Sequence, residues 1–545
     1  MEKNLYKKIL VRMPNWIGDA VMAIPTLSSL RARFREAQIT LLAKPSVAAL
    51  FGSHPDVDRI LVYEDGGKHR GMMGLWTLIC ALRREGFDLA FLLQNAFEAA
   101  IIASAAGIPA RVGYGSDGRS FLLTQALSKK GAPHHQREAY LALMKLVDGR
   151  ALVIPPFLVV TEEEGSLASK ILDAHGISEE EFLIGIHPGA AYGSAKRWLP
   201  ERFAAVADQV VERFHAKAVI FGGPLETDIA EAVREAMLAP SLVLAGKTSL
   251  REMMALMTKC RLFISNDSGP MHVASSLGVP VVSIFGPTDP TRTSPGGTQT
   301  RILQNKVDCA PCKARECPID HPCMTGVSSE EVYRAAIRSL EGAQGKAGAV
   351  FLDRDGTINE DPGYMSDLNQ FSLIPGVAPG IAKLNAQGIP VFLITNQSGV
   401  GRGFFPEEFV WEAHHHLQDL LAKEGAVLNG IYYCPHSPEK TTCHCRKPSM
   451  GMIERAVLEH HVDLSRSYIV GDKASDMAMA REGIKGVLVQ TGEGREALKE
   501  MRQSGARLDH VSEGLGEAVD WILEDQKVDR EFAQPHAVRR SSGGE

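Results

Sequence analysis

Apolar, strand-like runs alternate with segments of helical periodicity along most of this 545-residue chain. The alternation forms one block from residue 9 to about residue 148 and a second block from about residue 182 to residue 340. Alternating strands and helices favour parallel sheets that are covered by helices on both faces. The pattern therefore predicts an α/β fold in which two Rossmann-like domains face each other across a cleft.

A third Rossmann-like domain is predicted after a run of small residues at 341–348, whose composition is typical of a linker. Four apolar runs after this linker each end in polar residues, as strands do at the carboxyl edge of a parallel sheet. Residues from about 526 onward are polar, which predicts a disordered tail. The predicted boundaries are 1–160, 161–340, a linker at 341–348, 349–525 and a tail at 526–545.

Charge and cysteine usage narrow the class of protein. The formal net charge of −6 argues against nucleic acid as the main partner. No run of about 18 apolar residues suggests a membrane span, and the first residues lack the apolar region of a signal peptide. Seven of the nine cysteines lie in two clusters, which suits metal binding in a reducing compartment better than a disulfide framework. We therefore expect a cytoplasmic protein without a transmembrane segment.

Residues 350–357, Val-Phe-Leu-Asp-Arg-Asp-Gly-Thr, place two carboxylates directly after an apolar strand. In this pattern Asp353 attacks phosphorus, and Asp355 exchanges a proton with the leaving oxygen. Gly356 would let the backbone turn tightly beneath an incoming phosphate. For this motif alone, a solvated turn is the alternative.

Three further motifs stand at the ends of predicted strands. Thr395 and Asn396 open a small polar loop that can donate hydrogen bonds to phosphate oxygens. Lys447 supplies a fixed positive charge. Asp472 and Asp476 lie in the motif Gly-Asp-Lys-Ala-Ser-Asp and suit Mg²⁺, a hard cation that prefers oxygen ligands. Together the motifs predict a phosphate-ester site at the carboxyl edge of the third sheet.

A compact cysteine and histidine cluster has the spacing Cys-x-His … Cys-x-Cys and comprises Cys434, His436, Cys443 and Cys445. Three thiolates and one imidazole match a closed, four-coordinate structural zinc site, and ordinary loop thiols are the alternative. His444 lies between two of these residues and is expected to point outward. The histidine run at 414–416 lies in a polar helical stretch and is expected to form a solvated face.

The four strand-end motifs together resemble the haloacid dehalogenase (HAD) phosphatase superfamily. The zinc-type loop narrows the resemblance to the D-glycero-D-manno-heptose-1,7-bisphosphate phosphatases and the related histidinol-phosphate phosphatases. The resemblance implies that Asp353 forms an aspartyl-phosphate, and that Asp353, Asp472 and the backbone carbonyl of Asp355 hold Mg²⁺. It also implies that the substrate phosphate is bound by Thr395, Asn396, Arg446 and Lys447.

Three junctions between strand and loop in the second block carry candidate nucleotide-binding residues. Lys196 belongs to a glycine-bearing loop in which backbone N–H groups can approach a pyrophosphate. Glu226 follows the next strand and could accept hydrogen bonds from ribose hydroxyls. The turn Asp267-Ser268-Gly269 opens a helix whose N-terminus is a candidate anion site. At each junction alone, a structural turn is the alternative.

Residues 12–21, Arg-Met-Pro-Asn-Trp-Ile-Gly-Asp-Ala-Val, form a further junction of this kind in the first block. The set of junctions resembles the lipopolysaccharide heptosyltransferases of the ADP-heptose family, most nearly heptosyltransferase II, which have the GT-B architecture. The resemblance implies that Asp19 is the general base that deprotonates the acceptor hydroxyl, and a plain helix N-cap is the alternative. It implies ADP phosphate binding by Lys196, Asp267, Ser268 and Gly269, and ribose binding by Glu226. His272 would assist there or cap its helix.

The cysteine-rich segment 309–323 leaves two interpretations open, a metal knuckle or free thiols in a surface loop. A similar stretch occurs in heptosyltransferase II sequences, but the resemblance does not indicate its role. The residues concerned are Cys309, Cys312, Cys317 and Cys323.

The two resemblances cover about residues 5–340 and 348–495 and imply a bifunctional enzyme of lipopolysaccharide inner-core biosynthesis. The implied partners are ADP-heptose, a lipid A-Kdo-heptose acceptor at the inner membrane, and heptose 1,7-bisphosphate of either anomer. Both activities belong to one pathway, which favours a heptose bisphosphatase over a histidinol-phosphate phosphatase. A non-catalytic, zinc-stabilised scaffold for the transferase is a further alternative.

Because the implied acceptor is a glycolipid, we expect peripheral contact with the cytoplasmic face of the inner membrane through basic side chains of the first domain. Ordinary solvated charges are the alternative for each of them. The candidates are Arg111, Arg119, Lys129 and Lys130.

Overall fold

The computed structural model describes residues 6–532, except 150, 153, 298, 343–347, 362, 364–366, 369–370, 440–442, 461, 482 and 505–507. The chain divides into two compact units, Met1–Gln344 and Gly345–Glu545. This division falls inside the predicted linker at 341–348, of which 343–347 lie outside the described residues.

The first half of unit one is a six-stranded parallel sheet with the strand order β3-β2-β1-β4-β5-β6. Its strands are β1 (Lys8–Arg12), β2 (Gln38–Ala43), β3 (Arg59–Val62), β4 (Leu89–Leu92), β5 (Ala110–Tyr114) and β6 (Gln125–Leu127). Its helices are α1 (Ile17–Met22), α2 (Ile24–Arg33), α3 (Pro45–Ala48), α4 (Gly71–Glu85), α5 (Phe97–Ala105) and α6 (Gln136–Ala142).

The second half of unit one repeats this plan with the strand order β12-β11-β10-β7-β8-β9, again all parallel. Its strands are β7 (Leu183–His187), β8 (Lys217–Ile220), β9 (Ser241–Val243), β10 (Cys260–Asn266), β11 (Val281–Phe285) and β12 (Thr300–Gln304). Its helices are α7 (Glu162–Asp173), α8 (Pro200–Phe214), α9 (Thr227–Ala236), α10 (Leu250–Thr258), α11 (Gly269–Ser276), α12 (Pro290–Thr293), α13 (Pro322–Thr325) and α14 (Ser329–Gly342).

Unit two contains a third six-stranded parallel sheet, with the order β15-β14-β13-β16-β17-β18. Its strands are β13 (Val350–Leu352), β14 (Val391–Asn396), β15 (Gly430–Cys434), β16 (Tyr468–Gly471), β17 (Lys485–Val489) and β18 (His510–Ser512). Its helices are α15 (Val377–Ala386), α16 (Gly399–Arg402), α17 (Glu407–Lys423), α18 (Gly451–His460), α19 (Ala474–Met477), α20 (Gly494–Ser504) and α21 (Leu515–Phe532).

Helices cover both faces of each sheet, and several inner strands are therefore buried along their whole length. β4, β7, β11 and β13 contain no exposed residue. Helix α8 shows the matching pattern, since it buries Phe203, Val206 and Val210 at intervals of three and four residues. All strands of a sheet run parallel, so the loops at their carboxyl ends meet at one edge. The predicted α/β class with three Rossmann-like sheets is confirmed.

The C-terminal helix corrects one boundary. Helix α21 continues to Phe532, so the start of the tail predicted at 526 is too early. Val519 and Ile522 pack this helix into the core of unit two. This packing stabilises the helix, although the polar residues that follow Ile522 do not predict one. Residues 533–545 lie outside the described residues. Within the described part of the chain, no helix has the length and apolarity of a membrane span.

Candidate active sites

The cleft of unit one opens where the carboxyl ends of the first two sheets meet, and it encloses about 680 Å³. Helix α1 follows β1, α11 follows β10, and two glycines allow their N-termini to touch. A Cβ atom on Gly18 would lie 2.8 Å from Cδ2 of His272, and one on Gly269 would lie 3.0 Å from Cβ of Ile17. The structure brings every predicted transferase residue to this cleft: Asp19, Lys196, Glu226, Asp267, Ser268, Gly269 and His272.

Asp19 is a half-buried carboxylate in the first turn of α1. Burial raises its pKa, Lys196 opposes the rise and Asp267 adds to it, which places the pKa at about 6. The N-cap of α1 is Trp16, so the alternative that Asp19 is a plain N-cap is wrong. A carboxylate with this pKa is largely ionised at neutral pH and more basic than an exposed aspartate, as a general base requires.

Lys196 is held in place by Asp267. Its Nζ lies 2.6 Å from Asp267 Oδ2, which also accepts a hydrogen bond of 2.6 Å from the Thr288 hydroxyl. The N-cap residue of α11, Ser268, makes no side-chain capping bond, so the first N–H groups of this helix have no side-chain cap. Because the Asp267 carboxylate would repel an anion, its position suits orienting the lysine. The groups suited to phosphate are Lys196 and the N-terminus of α11.

Glu226 is paired with His187, a residue to which the sequence assigned no role. His187 Nε2 lies 3.2 Å from Glu226 Oε2, and the same oxygen accepts a bond of 2.9 Å from the backbone N–H of Gly223. Burial would raise the pKa of Glu226, but His187 and the backbone N–H lower it to about 2. Glu226 is therefore an ionised acceptor on the cleft wall with one oxygen already engaged. His187 stands at the carboxyl end of β7, and this position could have identified it from the sequence as a site residue.

His272 is buried in the fourth position of α11, so it does not cap that helix. Burial lowers its pKa; Asp267 opposes this and Lys196 adds to it, and the resulting value of about 4 keeps the ring neutral. Its Nδ1 has no hydrogen-bond partner among the residues that the structure describes. The neutral ring packs against Gly18 and thereby links the two halves of the cleft.

The cysteine-rich segment supports the loop that carries Lys196. The backbone carbonyl of Arg315 accepts a hydrogen bond of 3.0 Å from Ala195, and that of Lys313 accepts one of 2.9 Å from the Tyr192 hydroxyl. Among the described residues, its four thiols do not form a group with the spacing of metal ligands. The segment therefore supports the cleft, and the metal knuckle and the free thiols both stay predictions.

Two of the basic side chains predicted to contact a membrane bond backbone carbonyls within the fold. Arg119 has no exposed surface and donates hydrogen bonds to three backbone carbonyls. The Arg111 guanidinium likewise donates to the carbonyl of Leu122, at 2.7 Å. The membrane role is wrong for Arg119, because its side chain is fully buried. For the half-buried Arg111 the membrane role stays a prediction. Lys129 and Lys130 are exposed.

In unit two, a group of three buried carboxylates faces one lysine at the edge of the third sheet. Oxygens of Asp353, Asp472 and Asp476 lie within 4.8 Å of one another. Lys447 Nζ lies 2.7 Å from Asp353 Oδ1 and 2.6 Å from Asp476 Oδ1. Asp472 Oδ1 is buried without a hydrogen-bond partner in the described chain. One lysine leaves the three carboxylates incompletely neutralised, so the donor set fits a hard divalent cation.

Burial raises the pKa of Asp353 to about 7, with Asp476 and Asp472 adding to the rise and Lys447 opposing it. The adjoining turn needs glycine, since Gly356 has a φ of 87° and a Cβ there would collide with the Asp472 carboxylate. The tight turn predicted at Gly356 therefore brings the nucleophile loop against the predicted cation ligand.

The Asp355 carboxylate is engaged outside this cation group. It forms a bidentate ion pair with Arg354, with both N···O distances at 2.9 Å, and accepts further bonds from Asn359 (3.1 Å) and Gln397 (2.9 Å). Burial alone would raise the pKa of Asp355, but Arg354 lowers it below its usual value. The carboxylate that completes the group is Asp476, which the predicted ligand set omitted although its motif was recognised. The role predicted for the backbone carbonyl of Asp355 stays a prediction.

Some of the predicted phosphate-binding side chains position their neighbours, and others have a group that can bind phosphate. Thr395 Oγ1 accepts a bond of 3.0 Å from Gln397. The Asn396 side chain accepts from the backbone N–H of Lys447 at 3.0 Å and donates to its carbonyl at 3.3 Å, so it positions Lys447. Arg446 has a buried Nη1 without a hydrogen-bond partner among the described residues, which suits an anionic ligand.

The cluster of Cys434, His436, Cys443 and Cys445 is assembled as a candidate metal site. Sulfur–sulfur distances are 3.5 and 3.6 Å, and the two sulfur–nitrogen distances to His436 Nδ1 are 3.5 and 3.3 Å. Tetrahedral zinc with thiolate bonds of about 2.3 Å separates its sulfurs by about 3.8 Å. Hydrogen bonding within the cluster, chiefly from Cys445, lowers the pKa of Cys434 to about 5. His444 is exposed, which confirms that it points outward.

The solvated face expected for the histidine run is wrong for His414. This side chain is 1% exposed, lies 3.5 Å from Arg354 Nη1 and packs edge-on against Tyr433. Burial lowers its pKa well below the usual value, so the ring is neutral. His414 thus packs beside the arginine that holds Asp355. Its spacing from Val410 and Leu417 on the apolar face of α17 was the overlooked signal.

Comparisons with known proteins find relatives of both units. Residues 75–322 match the model of glycosyltransferase family 9 (heptosyltransferase), and residues 444–518 match the HAD-hydrolase-like model. Lipopolysaccharide heptosyltransferase 2 of Salmonella typhimurium is 33% identical over 309 residues, which cover 54% of this chain and 88% of that protein. D-glycero-D-manno-heptose-1,7-bisphosphate 7-phosphatase of Thermosynechococcus vestitus is 44% identical over 187 residues, which cover 32% of this chain and 94% of that protein.

The solved structure of Escherichia coli ADP-heptose LPS heptosyltransferase II is similar to this chain with a TM-score of 0.54 and 28% identity. The match covers 62% of this chain and 100% of that one. The chain therefore belongs to the heptosyltransferase 2 group of glycosyltransferase family 9 in its first unit and to the heptose-1,7-bisphosphate 7-phosphatases of the HAD-like hydrolases in its second.

Proposed function

We propose that this protein is a bifunctional enzyme of lipopolysaccharide inner-core biosynthesis that works at the cytoplasmic face of the inner membrane. Its first unit transfers heptose from ADP-heptose to a heptosyl-Kdo2-lipid A acceptor. Its second unit removes the 7-phosphate of D-glycero-D-manno-heptose 1,7-bisphosphate. The observation that carries this proposal is the presence of a complete candidate site in each unit, a base and a lysine in one cleft and a nucleophile beside a lysine at the other sheet edge.

In the transfer, Asp19 takes the proton of the acceptor hydroxyl while that oxygen attacks the anomeric carbon of the donor. The bond from this carbon to the diphosphate breaks, and ADP leaves with the bonding electrons. Lys196 and the N–H groups that begin α11 stabilise the charge of the departing diphosphate. Glu226 is placed on the cleft wall to accept bonds from ribose hydroxyls.

Lys196→Ala should raise the KM for ADP-heptose about 10–100-fold, because a charge-assisted hydrogen bond contributes about 1.5–3 kcal/mol. Lys196 binds the negative charge that the diphosphate of the donor already carries before the reaction, whereas the base Asp19 acts in the transition state. Initial-rate kinetics with varied ADP-heptose measure the effect. Lys217→Ala is a matched control, since it likewise removes a lysine that is paired with a carboxylate, here that of Glu181. An unchanged KM in Lys196→Ala would contradict the assignment.

In the hydrolysis, Asp353 attacks phosphorus and the bond to the sugar oxygen breaks, which leaves an aspartyl-phosphate. Asp355 gives a proton to the departing oxygen and then activates the water that hydrolyses the intermediate. Arg354 keeps Asp355 ionised, so proton donation requires that this ion pair opens when substrate binds and that Asp355 first takes up a proton from solvent. Lys447 and Arg446 hold the phosphoryl oxygens.

We further propose that Mg²⁺ binds at Asp353, Asp472 and the backbone carbonyl of Asp355, with Asp476 beside them. The orphaned Asp472 oxygen and the incompletely neutralised carboxylates support this choice. When bound, the ion neutralises phosphoryl charge.

Substrate choice separates the proposed phosphatase from its alternatives. We expect inorganic phosphate to be released from heptose 1,7-bisphosphate with a kcat/KM at least about tenfold above that for histidinol phosphate. Phosphate release from the α and β anomers and from histidinol phosphate, measured side by side, tests this expectation. Preference for histidinol phosphate would refute the specificity. Release from none of the three would support the non-catalytic scaffold.

We propose that the cysteine and histidine cluster binds structural zinc, which commonly contributes several kcal/mol to folding. The wild-type chain should then hold about one tightly bound zinc per molecule. Cys443→Ser should lose it and lower phosphate release, because Cys445 leads directly into Arg446 and Lys447. Elemental analysis and phosphatase assays of the purified full chain check this, with Cys80→Ser in unit one as the control. Absence of zinc from the purified wild-type chain would contradict the proposal.

A further inference from the structure

Helix α4 exposes three large apolar side chains in its first turns. Met72, Met73 and Trp76 are 90%, 86% and 59% exposed. These three side chains are not part of the domain core, to which α4 contributes Leu78, Ile79 and Leu82 from its inner face. Large contiguous apolar surface of this kind marks a contact with another molecule or a membrane.

Two phenylalanines extend this surface. Phe121 is 75% exposed and Phe97 is 39% exposed, with their ring centroids 6.1 Å apart. Leu75 on α4 and Leu122 beside Phe121 pack on the same core cluster, so the exposed groups share one side of the domain. We call this surface the apolar rim; it comprises Met72, Met73, Trp76, Phe97 and Phe121.

The apolar rim lies at the sheet edge that carries the transfer site. The N-termini of α4 and α5 and the segment at 119–122 follow the carboxyl ends of β3, β4 and β5. Helix α1 with Asp19 follows the carboxyl end of β1 in the same parallel sheet. The rim is therefore on the acceptor half of unit one, at the edge from which an acceptor reaches Asp19.

Basic residues accompany the rim. Lys68 and Arg70 are exposed in the loop that leads into α4, and Lys129 and Lys130 follow β6 at the same sheet edge. The acidic groups of the α4 loop are each paired with a lysine, Glu64 with Lys68 at 3.1 Å and Asp65 with Lys44 at 2.6 Å. Exposed apolar side chains with flanking cations suit an anionic lipid surface, where the apolar groups enter the headgroup region.

We propose that the apolar rim is a docking surface for an anionic lipid bilayer, which holds the acceptor cleft against the membrane that contains the acceptor. The inference rests on the proposed transfer to a lipid-linked acceptor. It moves the membrane contact from Arg111 and Arg119, whose guanidinium groups bond backbone carbonyls within the fold, to Met72, Met73, Trp76 and Phe121. A second copy of this chain is the competing occupant.

Flotation of the full chain with vesicles of phosphatidylethanolamine and phosphatidylglycerol tests the docking. The triple variant Met72→Ser, Met73→Ser, Trp76→Ser should reduce the floated fraction at least about fivefold. Leu238→Ser removes an equally exposed apolar side chain from the other half of unit one and should float like the wild type. Wild-type protein that does not float at low salt, or a triple variant that floats as well as the wild type, overturns the proposal. So does a wild-type dimer in sedimentation that the triple variant abolishes.

Two acceptors separate this inference from the proposed transfer. With acceptor embedded in vesicles, the triple variant should lose about tenfold or more in kcat/KM. With a deacylated, water-soluble acceptor, it should match the wild type, because the cleft itself is unchanged. Equal loss on both acceptors would place the effect in the cleft and overturn the docking role. Wild-type failure on both acceptors, with flotation intact, would instead refute the proposed transfer.

Discussion

Asp353→Asn should reduce phosphate release from heptose 1,7-bisphosphate by about 10³-fold or more, since a nucleophile has no substitute in a covalent mechanism. The amide is nearly isosteric with the carboxylate, so the loop after β13 should keep its conformation. The substitution also removes one of three crowded carboxylates, whose mutual repulsion contributes to the raised pKa of Asp353. The melting temperature of unit two should therefore not fall. Single-turnover assays with labelled substrate and a thermal melt measure both outcomes.

The matched control for this variant is Asp520→Asn, which removes an exposed carboxylate from α21 and its ion pair with Lys383. This control should retain wild-type phosphate release, because exposed ion pairs contribute little. Acid-quenched wild-type enzyme should also carry a phosphoryl group that Asp353→Asn lacks. Substantial turnover in Asp353→Asn would show that another residue attacks phosphorus.

Asp19→Ala should lower the kcat of heptosyl transfer about 10²–10⁴-fold while the KM for ADP-heptose changes little, because a general base acts in the transition state. The pH profile provides a second readout. Burial raises the pKa of Asp19 to about 6, so the wild-type rate should rise with pH up to about 6 and level off above it, where the base is ionised. The variant should lack this rise. Asp173→Ala, at the end of α7, is an exposed aspartate that serves as the control.

A near-normal kcat in Asp19→Ala would assign the base to another carboxylate. Glu226 and Asp267 also line the cleft, but His187 and Lys196 already hold them. The low pKa of Glu226, about 2, makes it a weak base. The physical case for Asp19 is therefore its raised pKa at a position that lines the cleft.

The sequence predicted the features that depend on residues near the end of a strand or close to one another in the chain. Each candidate residue lies in the segment that follows an apolar strand, and parallel strands bring such segments to one edge of the sheet. This is why the transferase residues converge on one cleft, and why Asp353, Lys447 and Asp472 converge at another sheet edge. The cysteine cluster was equally readable because its ligands lie within twelve residues of one another.

Features that depend on contacts distant in sequence could not be read in this way. Arg119 looked like a surface charge, yet it donates to carbonyl groups around residues 94–96. His414 looked solvated, but it packs beside Arg354, sixty residues away. The third carboxylate of the cation group depends on where Asp476 falls after β16 ends. In each case the deciding partner is a neighbour only in the folded chain.

The two units supply their sites from separate stretches of sequence. Every cleft residue belongs to Met1–Gln344, and every residue of the phosphatase site belongs to Gly345–Glu545. No residue proposed for one reaction belongs to the site of the other. The two reactions should therefore respond independently to substitution.

The most direct test of a chain with two separate active sites is a crossed assay of wild type, Asp19→Ala and Asp353→Asn as full-length proteins. ADP formation from ADP-heptose with acceptor and phosphate release from heptose 1,7-bisphosphate are measured on the same preparations. Asp19→Ala should lose ADP formation and keep phosphate release, and Asp353→Asn should do the opposite. Loss of both activities in either variant, in a protein that still melts cooperatively, would contradict two independent sites.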